Sequence, residues 1–202
     1  MARGKFITFE GLDGAGKSSH IEAAQRHLAA RGLEVISTRE PGGTPLGEAL
    51  RELLLHQPMH LDTETLLMFA ARREHLAKVI EPALARGAWV ICDRFTDATR
   101  AYQGGGRGVS LERIEALAHW VHPGLEPDLT LVFDLDPEIA RRRLAQDRAP
   151  DRFEREELEF HRRVRDVYLG LEQIAGRRVV IIDAGQGRDD VEKMVYKNIS
   201  TL

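Results

Sequence analysis

Short apolar runs alternate with longer amphipathic stretches along the whole sequence. Five runs are rich in Val, Ile, Leu and Phe, lack strict polar alternation and are bounded by Gly, Pro or charged residues; they cover residues 5–9, 34–38, 88–92, 129–134 and 179–183. Such runs are typical of strands that are buried on both faces of a sheet. Because helical segments separate them, the pattern predicts an α/β fold, a doubly wound, five-stranded parallel sheet with helices on both faces.

The stretches between these runs carry signals for the beginning and end of helices. Thr44 followed by Pro45 suits the beginning of one helix, and Gly32 and Gly87 suit the ends of two others. Pro82 is expected to kink or end the longest helix, since proline lacks the N–H that a helix interior needs. The predicted helices cover residues 17–31, 46–55, 62–86, 110–121, 136–144, 154–175 and 191–199.

Length and composition limit the class of protein. The 202 residues contain no repeat, low-complexity tract or linker, so we expect a single domain over residues 1–202. A content of 43% hydrophobic and 30% charged residues is typical of a soluble globular protein. The net charge of −3 argues against a dedicated binder of nucleic-acid polymers or anionic membranes, because such proteins normally carry a basic excess.

The sequence also bears on cellular location. Residues 1–5 are polar and lead directly into an apolar run, so we expect no signal peptide. No apolar stretch reaches the ~18 residues of a membrane span. Cys92 is the single cysteine, which excludes an internal disulfide and fits a reducing, cytoplasmic location.

A glycine-rich motif directly follows the first predicted strand and opens the first predicted helix. It consists of Gly11, Leu12, Asp13, Gly14, Ala15, Gly16, Lys17 and Ser18, which satisfy the pattern Gly-x-x-x-x-Gly-Lys-Ser/Thr of phosphate-binding loops. Glycines let successive backbone N–H groups point at phosphate oxygens, and the helix N-terminus adds its positive end. We therefore expect these eight residues to hold a nucleoside triphosphate, with Lys17 on the outer phosphates and Ser18 on Mg²⁺.

A phosphate-binding loop leaves three classes of protein open: a kinase for a small acceptor, a GTPase-type switch and an ATPase that drives assembly. A switch needs an Asn-Lys-x-Asp segment that reads guanine, and the only asparagine of the sequence is Asn198, near its C-terminal end. The switch is thereby excluded. An assembly ATPase has no direct counter-indication, but it gives the remaining motifs no role.

An acid and an arginine follow the third apolar run. Asp93 can hold Mg²⁺ directly or through its waters, and the adjacent Arg94 can bind a phosphate with two parallel hydrogen bonds. The alternative is a salt bridge within the loop. These two residues do not decide between the two roles by themselves.

Three further segments narrow the choice among these classes of protein. Phe9-Glu10-Gly11 leads into the loop, Arg39-Glu40-Pro41-Gly42-Gly43-Thr44 follows the second run, and Asp93-Arg94-Phe95 with Ala101-Tyr102-Gln103 follows the third. In this combination the sequence resembles bacterial thymidylate kinases over essentially its full length. The resemblance implies a P-loop fold of the nucleoside monophosphate kinase type, with a short lid. It also implies transfer of the γ-phosphoryl group of MgATP to dTMP, which gives dTDP and ADP.

The resemblance implies places for individual side chains around dTMP. Arg94 is expected to bind the acceptor phosphate, with Arg39 close to it. Tyr102 is expected against the deoxyribose, where a ribose 2′-hydroxyl would lie, and Asp13 is expected to reach the 3′-hydroxyl. The side chains expected near the thymine ring are Thr99, Gln103 and Arg51.

The base-stacking position has two possible registers. The family places an aromatic residue four positions before an arginine on the long helix, and Phe69 with Arg73 keeps this spacing. Counting back from Pro82 makes Arg72 the better match and leaves Met68 at the stacking position. We expect Phe69 and Arg72 to bind the base, with ordinary core roles for Met68 and Phe69 as the alternative.

Positive charge is concentrated in one late segment. Residues 141–165 contain nine Arg against six Asp or Glu, and residues 148–152 form a non-helical interruption there, as a mobile flap would. We expect a lid over about residues 145–153. In the family, the extra catalytic arginine comes from the phosphate-binding loop or from the lid. Since that loop has no arginine here, the resemblance assigns the role to Arg148 and Arg152, in addition to Lys17 and Arg94.

Two alternatives to this function remain. The first is a related kinase for another nucleotide or a deoxynucleoside, although Arg39 and Arg94 favour a phosphorylated acceptor and Tyr102 favours a deoxy sugar. The second is the assembly ATPase, which would hydrolyse ATP rapidly without an acceptor. A homodimer is expected from the resemblance alone, and the other expected partners are the small molecules ATP and dTMP.

Overall fold

The computed structural model describes residues 3–144 and 151–202. Its strands form one parallel sheet in the order β2-β3-β1-β4-β5. The predicted runs agree with the strands to within two residues, and the predicted parallel α/β fold is confirmed. The strands are β1 (Phe6–Gly11), β2 (Val35–Arg39), β3 (Trp89–Asp93), β4 (Leu129–Asp134) and β5 (Val179–Asp183).

Helices connect the strands. They are α1 (Lys17–Ala30), α2 (Pro45–His56), α3 (Leu61–His75), α4 (Glu81–Ala85), α5 (Thr96–Thr99), α6 (Leu111–Val121), α7 (Pro137–Leu144), α8 (Leu158–Ala175) and α9 (Arg188–Ile199). The Thr44 hydroxyl accepts a 2.9 Å hydrogen bond from the Gly47 N–H and so caps α2, as its sequence predicts. None of the helices in the described residues has the length and apolar character that a membrane crossing requires.

The longest predicted helix continues through Pro82. A π-helical turn, Leu76–Ile80, joins α3 to α4, and the N–H of Glu81 bonds to the carbonyl of Leu76, five residues back. Pro82 then lies in the first turn of α4, where the missing N–H of proline costs little. The break expected at Pro82 is therefore replaced by a wider helical turn just before it.

A second π-helical segment, Arg100–Gly106, follows α5 and packs against α8. The sequence pattern did not predict either helical piece. A Cβ atom at Gly105 would overlap Val167, and one at Gly106 would overlap the ring of Phe160. Because no side chain fits between them, α8 lies directly on the segment that follows β3.

The central strands β1 and β3 position the candidate functional residues. Alternate residues of β1 point into two apolar clusters, Phe6 into one and Ile7 and Phe9 into the other. All five strands end at the same edge, where ligands bind in sheets of this kind. Because Phe9 of β1 pairs with Asp93 of β3, the phosphate-binding loop and the Asp93-Arg94 pair leave the sheet side by side.

Candidate active site

Residues 11–18 connect β1 to α1 at this edge. Gly11, Gly14 and Gly16 have φ angles of 124°, 82° and 87°, which lie in the region that favours glycine. No side chain of the described residues caps the N-terminus of α1. An uncapped helix N-terminus after a glycine-rich turn is well suited to bind phosphate.

Lys17 folds back over this loop. Its Nζ donates hydrogen bonds to the carbonyls of Gly11 and Leu12 at 3.1 and 2.9 Å and lies 3.7 Å from Asp13 Oδ1. Burial and the charge of Arg94 lower the pKa of Lys17, and the Asp13 carboxylate opposes them. The ammonium group therefore lies within the loop and not in solvent.

Arg94 is the centre of a polar network and has a φ of 71°, in the region that favours glycine. Its Nη2 donates to Asp13 Oδ1 at 2.8 Å and to the Tyr102 hydroxyl at 3.1 Å, and its Nη1 donates to the Tyr168 hydroxyl at 3.1 Å. Burial opposes the charge of Arg94, but Asp13 and its other neighbours raise the pKa well above its usual value. The guanidinium thus stays charged beside the phosphate-binding loop.

Tyr168 links Arg94 to a buried carboxyl group. The Tyr168 hydroxyl donates to Glu10 Oε2 at 2.8 Å, and Glu10 Oε1 accepts the Phe95 N–H at 2.7 Å. Burial, together with the charge of Asp97, raises the pKa of Glu10 to about 8. Glu10, which Tyr168 links to Arg94, is therefore an acid with a strongly raised pKa.

A pocket opens beside Arg94. Its wall combines charged side chains with apolar ones, so it suits a molecule that carries an anionic group and a flat apolar ring. The lining residues are Asp13, Glu40, Pro41, Arg51, Leu55, Met68, Arg72, Arg94, Phe95, Ala98, Thr99, Tyr102, Gln103, Asp151 and Phe153.

Arg72 lines this pocket and has one unpaired donor. Its Nε donates to Glu40 Oε2 at 2.7 Å, and its Nη2 donates to the Phe95 carbonyl and the Thr99 hydroxyl, both at 3.1 Å. Its Nη1 is buried and has no hydrogen-bond partner among the described residues. A buried donor left unpaired costs about 1–3 kcal/mol, and a ligand with a carbonyl oxygen removes that cost.

A more open groove lies next to the phosphate-binding loop. Ser18 and Asp93 both line it, and the Asp93 Oδ1 is buried without a hydrogen-bond partner among residues 3–144 and 151–202. Carboxylate and hydroxyl oxygens are ligands that Mg²⁺ accepts. The structure thus brings together the two residues that the sequence predicts for a metal.

The family model for thymidylate kinase matches residues 9–195. The thymidylate kinase of Methylobacillus flagellatus is 65% identical to this chain, over 96% of the chain and 95% of the relative. That of Ralstonia nicotianae is 59% identical, over 98% of the chain and 99% of the relative. The chain belongs to the thymidylate kinase family.

A solved structure agrees over the same length. The crystal structure of thymidylate kinase from Ehrlichia chaffeensis is similar with a TM-score of 0.80 and 34% identity, and the match covers 98% of this chain and 99% of that chain. The resemblance to thymidylate kinases seen in the sequence motifs is confirmed.

Most of the acceptor residues expected for a thymidylate kinase line the pocket beside Arg94. Arg51 is held there by a 3.0 Å hydrogen bond from its Nη1 to the Pro41 carbonyl. What each residue does toward a substrate stays a prediction. The residues in question are Asp13, Arg51, Arg72, Arg94, Thr99, Tyr102 and Gln103.

The expected place of Phe69 in the thymidylate kinase base site is wrong. Phe69 is 2% exposed and belongs to an apolar core cluster, whereas Met68 lines the pocket. One residue turns an α-helix by about 100°, so adjacent residues of α3 face different surroundings. Arg73, the alternative to Arg72, is absent from the pocket wall and donates to the Val121 carbonyl. Of the residues in the two registers, Met68 and Arg72 therefore line the pocket, and their contact with a base stays a prediction.

Arg39 also differs from the expectation. It does not line the pocket beside Arg94, and its Nη2 donates to Glu48 Oε2 at 2.8 Å. Arg39 is the last residue of β2 and pairs with Asp93 across the sheet. This position places it in the groove with Ser18 and Asp93 instead.

Arg152 does not have the free guanidinium expected of a catalytic lid arginine. Its Nε and Nη2 donate to the Leu54 carbonyl at 3.1 and 2.9 Å, and Nη2 lies 2.7 Å from Glu64 Oε2. Arg152 thus anchors the C-terminal end of the expected lid to α2 and α3. The other expected lid arginine, Arg148, and most of residues 145–153 lie outside the described residues.

Three site residues had no role in the sequence prediction. Glu10 and Glu40 stand inside the motifs that carry the resemblance to thymidylate kinases, so a signal was present without an assigned function. Glu40 binds Arg72 and also lies 2.9 Å from the Nδ1 of His75. Tyr168 lies on the buried face of α8, and no local pattern distinguishes it from a core residue.

Proposed function

We propose that this chain transfers the γ-phosphoryl group of ATP to dTMP and releases dTDP and ADP. The observation that carries the proposal is the unpaired Nη1 of Arg72, a residue that lines the same pocket as Arg94 and Asp13. An acceptor with a base carbonyl at one end and a phosphate at the other matches both arginines. The thymidylate kinases to which the chain is similar support dTMP as this acceptor.

The thymine ring is proposed to lie between Met68 and the aromatic side chains of the wall. Its 4-carbonyl oxygen accepts the free N–H of Arg72, and its polar edge lies near Thr99 and Gln103. The sulfur-containing side chain of Met68 is polarizable and packs well on an aromatic ring. A methionine can therefore take the stacking position that other family members give to an aromatic residue.

The sugar and phosphate are proposed to lie at the Arg94 end. Arg94 carries two N–H groups that match two phosphate oxygens, and the Tyr102 ring lies 4.8 Å from its guanidinium carbon. In this arrangement the Tyr102 ring occupies the space that a ribose 2′-hydroxyl would need. Asp13 accepts the 3′-hydroxyl in this arrangement.

Residues 11–18 are proposed to bind the phosphates of ATP, with Lys17 on the outer phosphates. The Ser18 and Asp93 groove fits Mg²⁺, because the Asp93 carboxylate has a buried oxygen with no partner in the described part of the chain. Bound Mg²⁺ neutralises phosphate charge and orients the transferring group. Lys17 and Arg94 add positive charge on the two sides, which phosphoryl transfer requires more than covalent help.

A lid over residues 145–153, with Arg148 as its catalytic arginine, is part of the proposal. Water competes with dTMP for the γ-phosphoryl group, so a lid that closes only on both nucleotides suppresses hydrolysis. Arg152 supports such a lid from its base, through its bonds to Leu54 and Glu64.

The chain is further proposed to act as a homodimer in the cytoplasm. Helices α2 and α3 expose about half of the side chains of Leu46, Leu53 and Leu66, an apolar surface that suits a subunit contact. Light scattering on the purified protein tests this assembly, since a dimer has twice the 22.7 kDa mass of one chain. A mass of one chain would contradict it.

The experiment that tests the function is ADP release from MgATP with a panel of acceptors: dTMP, dUMP, UMP, dCMP and AMP. We expect the highest kcat/KM for dTMP and only slow ATP hydrolysis without an acceptor. Equal rates with several acceptors would remove the claim for dTMP. Fast hydrolysis without any acceptor would favour an assembly ATPase.

A further inference from the structure

Glu64 is a buried carboxylate next to the acceptor pocket, and the proposed reaction gives it no role. It lies on α3, is 1% exposed and does not line the pocket. It accepts hydrogen bonds from Gln103 Nε2 at 2.8 Å and Arg107 Nε at 3.1 Å, and Arg152 Nη2 lies 2.7 Å away. Glu64 can therefore act on a bound molecule only through one of these three side chains.

The contact with Gln103 decides how its amide is oriented. A side-chain amide has an NH₂ donor and a carbonyl acceptor, which a half-turn exchanges. The oxygens of Glu64 already accept from two arginines, and the Gln103 NH₂ group is the end of the amide that donates to them. The carbonyl oxygen of Gln103 is then the end left for the pocket that this residue lines.

Two of the side chains that line the pocket therefore carry the groups of interest, an unpaired donor on Arg72 (Nη1) and an acceptor on Gln103 (Oε1). A 4-oxo pyrimidine presents the complementary pair, a carbonyl oxygen next to an N3–H. A 4-amino pyrimidine presents the reverse, an amino donor next to an N3 acceptor. Each orientation of the amide therefore favours one of the two base classes.

We propose that Glu64 is a positioning residue for base specificity. It holds the Gln103 amide in the orientation that accepts an N3–H and so selects 4-oxo over 4-amino pyrimidine nucleotides. This role rests on the proposed function, since it requires the base of the acceptor to lie in this pocket. Glu64 touches no substrate atom and acts through Gln103 alone.

The structure offers a control for the structural part of the role of Glu64. Arg107 binds Glu64 and also pairs with Glu156 at 2.9 Å, and it does not line the pocket. The substitution Arg107→Gln removes this ion pair but keeps a carboxylate facing Gln103. If the role of Glu64 is purely structural, substitutions at Glu64 and at Arg107 should change base specificity equally.

The test is calorimetric binding of dTMP and 5-methyl-dCMP, which differ only in the 4-substituent and N3. In Glu64→Gln, residue 64 gains an NH₂ group that can face the Gln103 carbonyl, so the amide can turn. We expect the Kd ratio of 5-methyl-dCMP to dTMP to fall about tenfold, because one ligand loses a hydrogen bond and the other gains one. In Arg107→Gln the ratio is expected to stay within about twofold of the wild type.

A second pair of variants isolates the path through Gln103. Gln103→Met keeps the volume of the side chain and removes its amide, so adding Glu64→Gln to it is expected to change the ratio no further. Thermal denaturation checks that each variant folds. Should Glu64→Gln not fold, Glu64→Asp keeps the charge but shortens the reach to Gln103, and the same fall in the ratio is expected.

The outcomes separate the two proposals. A wild-type protein that does not prefer dTMP contradicts the proposed function itself. A wild-type protein that prefers dTMP, with the ratio unchanged at residue 64, overturns the role of Glu64. An equal fall in Arg107→Gln, or a further fall when Glu64→Gln is added to Gln103→Met, overturns it as well.

Discussion

Arg94 at the end of β3 donates a 2.8 Å hydrogen bond to Asp13 in the phosphate-binding loop. The bond joins the residue proposed to bind the acceptor phosphate to the loop proposed to bind the donor. Because Arg94 has a φ of 71°, its backbone is also fixed in a region that few non-glycine residues adopt. The two proposed phosphate sites are therefore joined directly by this bond.

The three hydrogen bonds that the Arg94 guanidinium group donates predict that lysine cannot replace this residue. Arg94 donates to three different side chains, and the point charge of lysine does not reach all of them. We expect Arg94→Lys to lower kcat/KM for dTMP about 100-fold or more in the ADP-release assay. The matched control is Arg86→Lys, an exposed residue paired with Glu34, which is expected to keep wild-type kinetics. An Arg94→Lys enzyme with half the wild-type activity would contradict the role.

The buried Glu10 predicts stability that depends on pH. Burial raises the pKa of Glu10 to about 8 from the usual 4.5, so between these two pH values the folded protein keeps a proton that the unfolded chain releases. The resulting contribution to the free energy of unfolding is complete below pH ~4.5 and is lost as the pH rises through ~8.

Glu10→Gln tests this contribution, since the amide stays neutral at every pH. Relative to the wild type, the free energy of unfolding of the variant is expected to rise as the pH increases from about 5 to about 8 and to level off above. Urea unfolding over a pH series measures the difference. A difference that does not change with pH would show that Glu10 has an ordinary pKa.

Arg152 is expected to matter more for stability than for turnover. Arg152→Gln leaves the buried Glu64 with one ionic partner fewer and should lower the free energy of unfolding by about 1–3 kcal/mol. The KM for dTMP is expected to rise while kcat stays within about fivefold of the wild type. A loss of kcat near 1,000-fold with unchanged stability would instead support a direct catalytic arginine.

Asp93 predicts a specific dependence on Mg²⁺. Chelation of divalent ions with EDTA is expected to abolish transfer, and excess Mg²⁺ to restore it. In Asp93→Asn the concentration of Mg²⁺ for half-maximal rate should rise about tenfold, because a neutral amide replaces the charged ligand. Asp62→Asn, at an exposed residue on α3, serves as the control. An unchanged Mg²⁺ dependence in Asp93→Asn would remove Asp93 from the metal site.

The strands could be predicted because each begins with or contains a run of apolar residues without strict polar alternation, and this pattern does not depend on the rest of the chain. The helical pieces between Thr96 and Gly106 could not be predicted in the same way. They contain three consecutive glycines and several polar residues, which locally favour a loop. Packing against α8 stabilises the helical form, and that contact comes from a distant part of the sequence.

In the candidate site, too, residues in local motifs could be predicted and residues whose role depends on tertiary contacts could not. Asp13, Arg94 and Tyr102 stand in contiguous motifs, so their place in one pocket could be predicted. The choice between Met68 and Phe69 depends on the rotation of α3 about its axis, which a one-residue ambiguity leaves open. Whether an arginine faces the phosphates or an internal carboxylate depends on tertiary partners that no local pattern reveals.

Gly105 and Gly106 contact α8 closely, so the segment after β3 and α8 cannot move independently of each other. From α8, Arg163 Nη2 donates to the Gly106 carbonyl at 2.8 Å, and Tyr168 reaches Arg94. A methyl group added at Gly105 would overlap the side chain of Val167 on α8, so one of the two segments would have to shift. A change that reshapes either the pocket beside Arg94 or α8 must therefore be accommodated by the other.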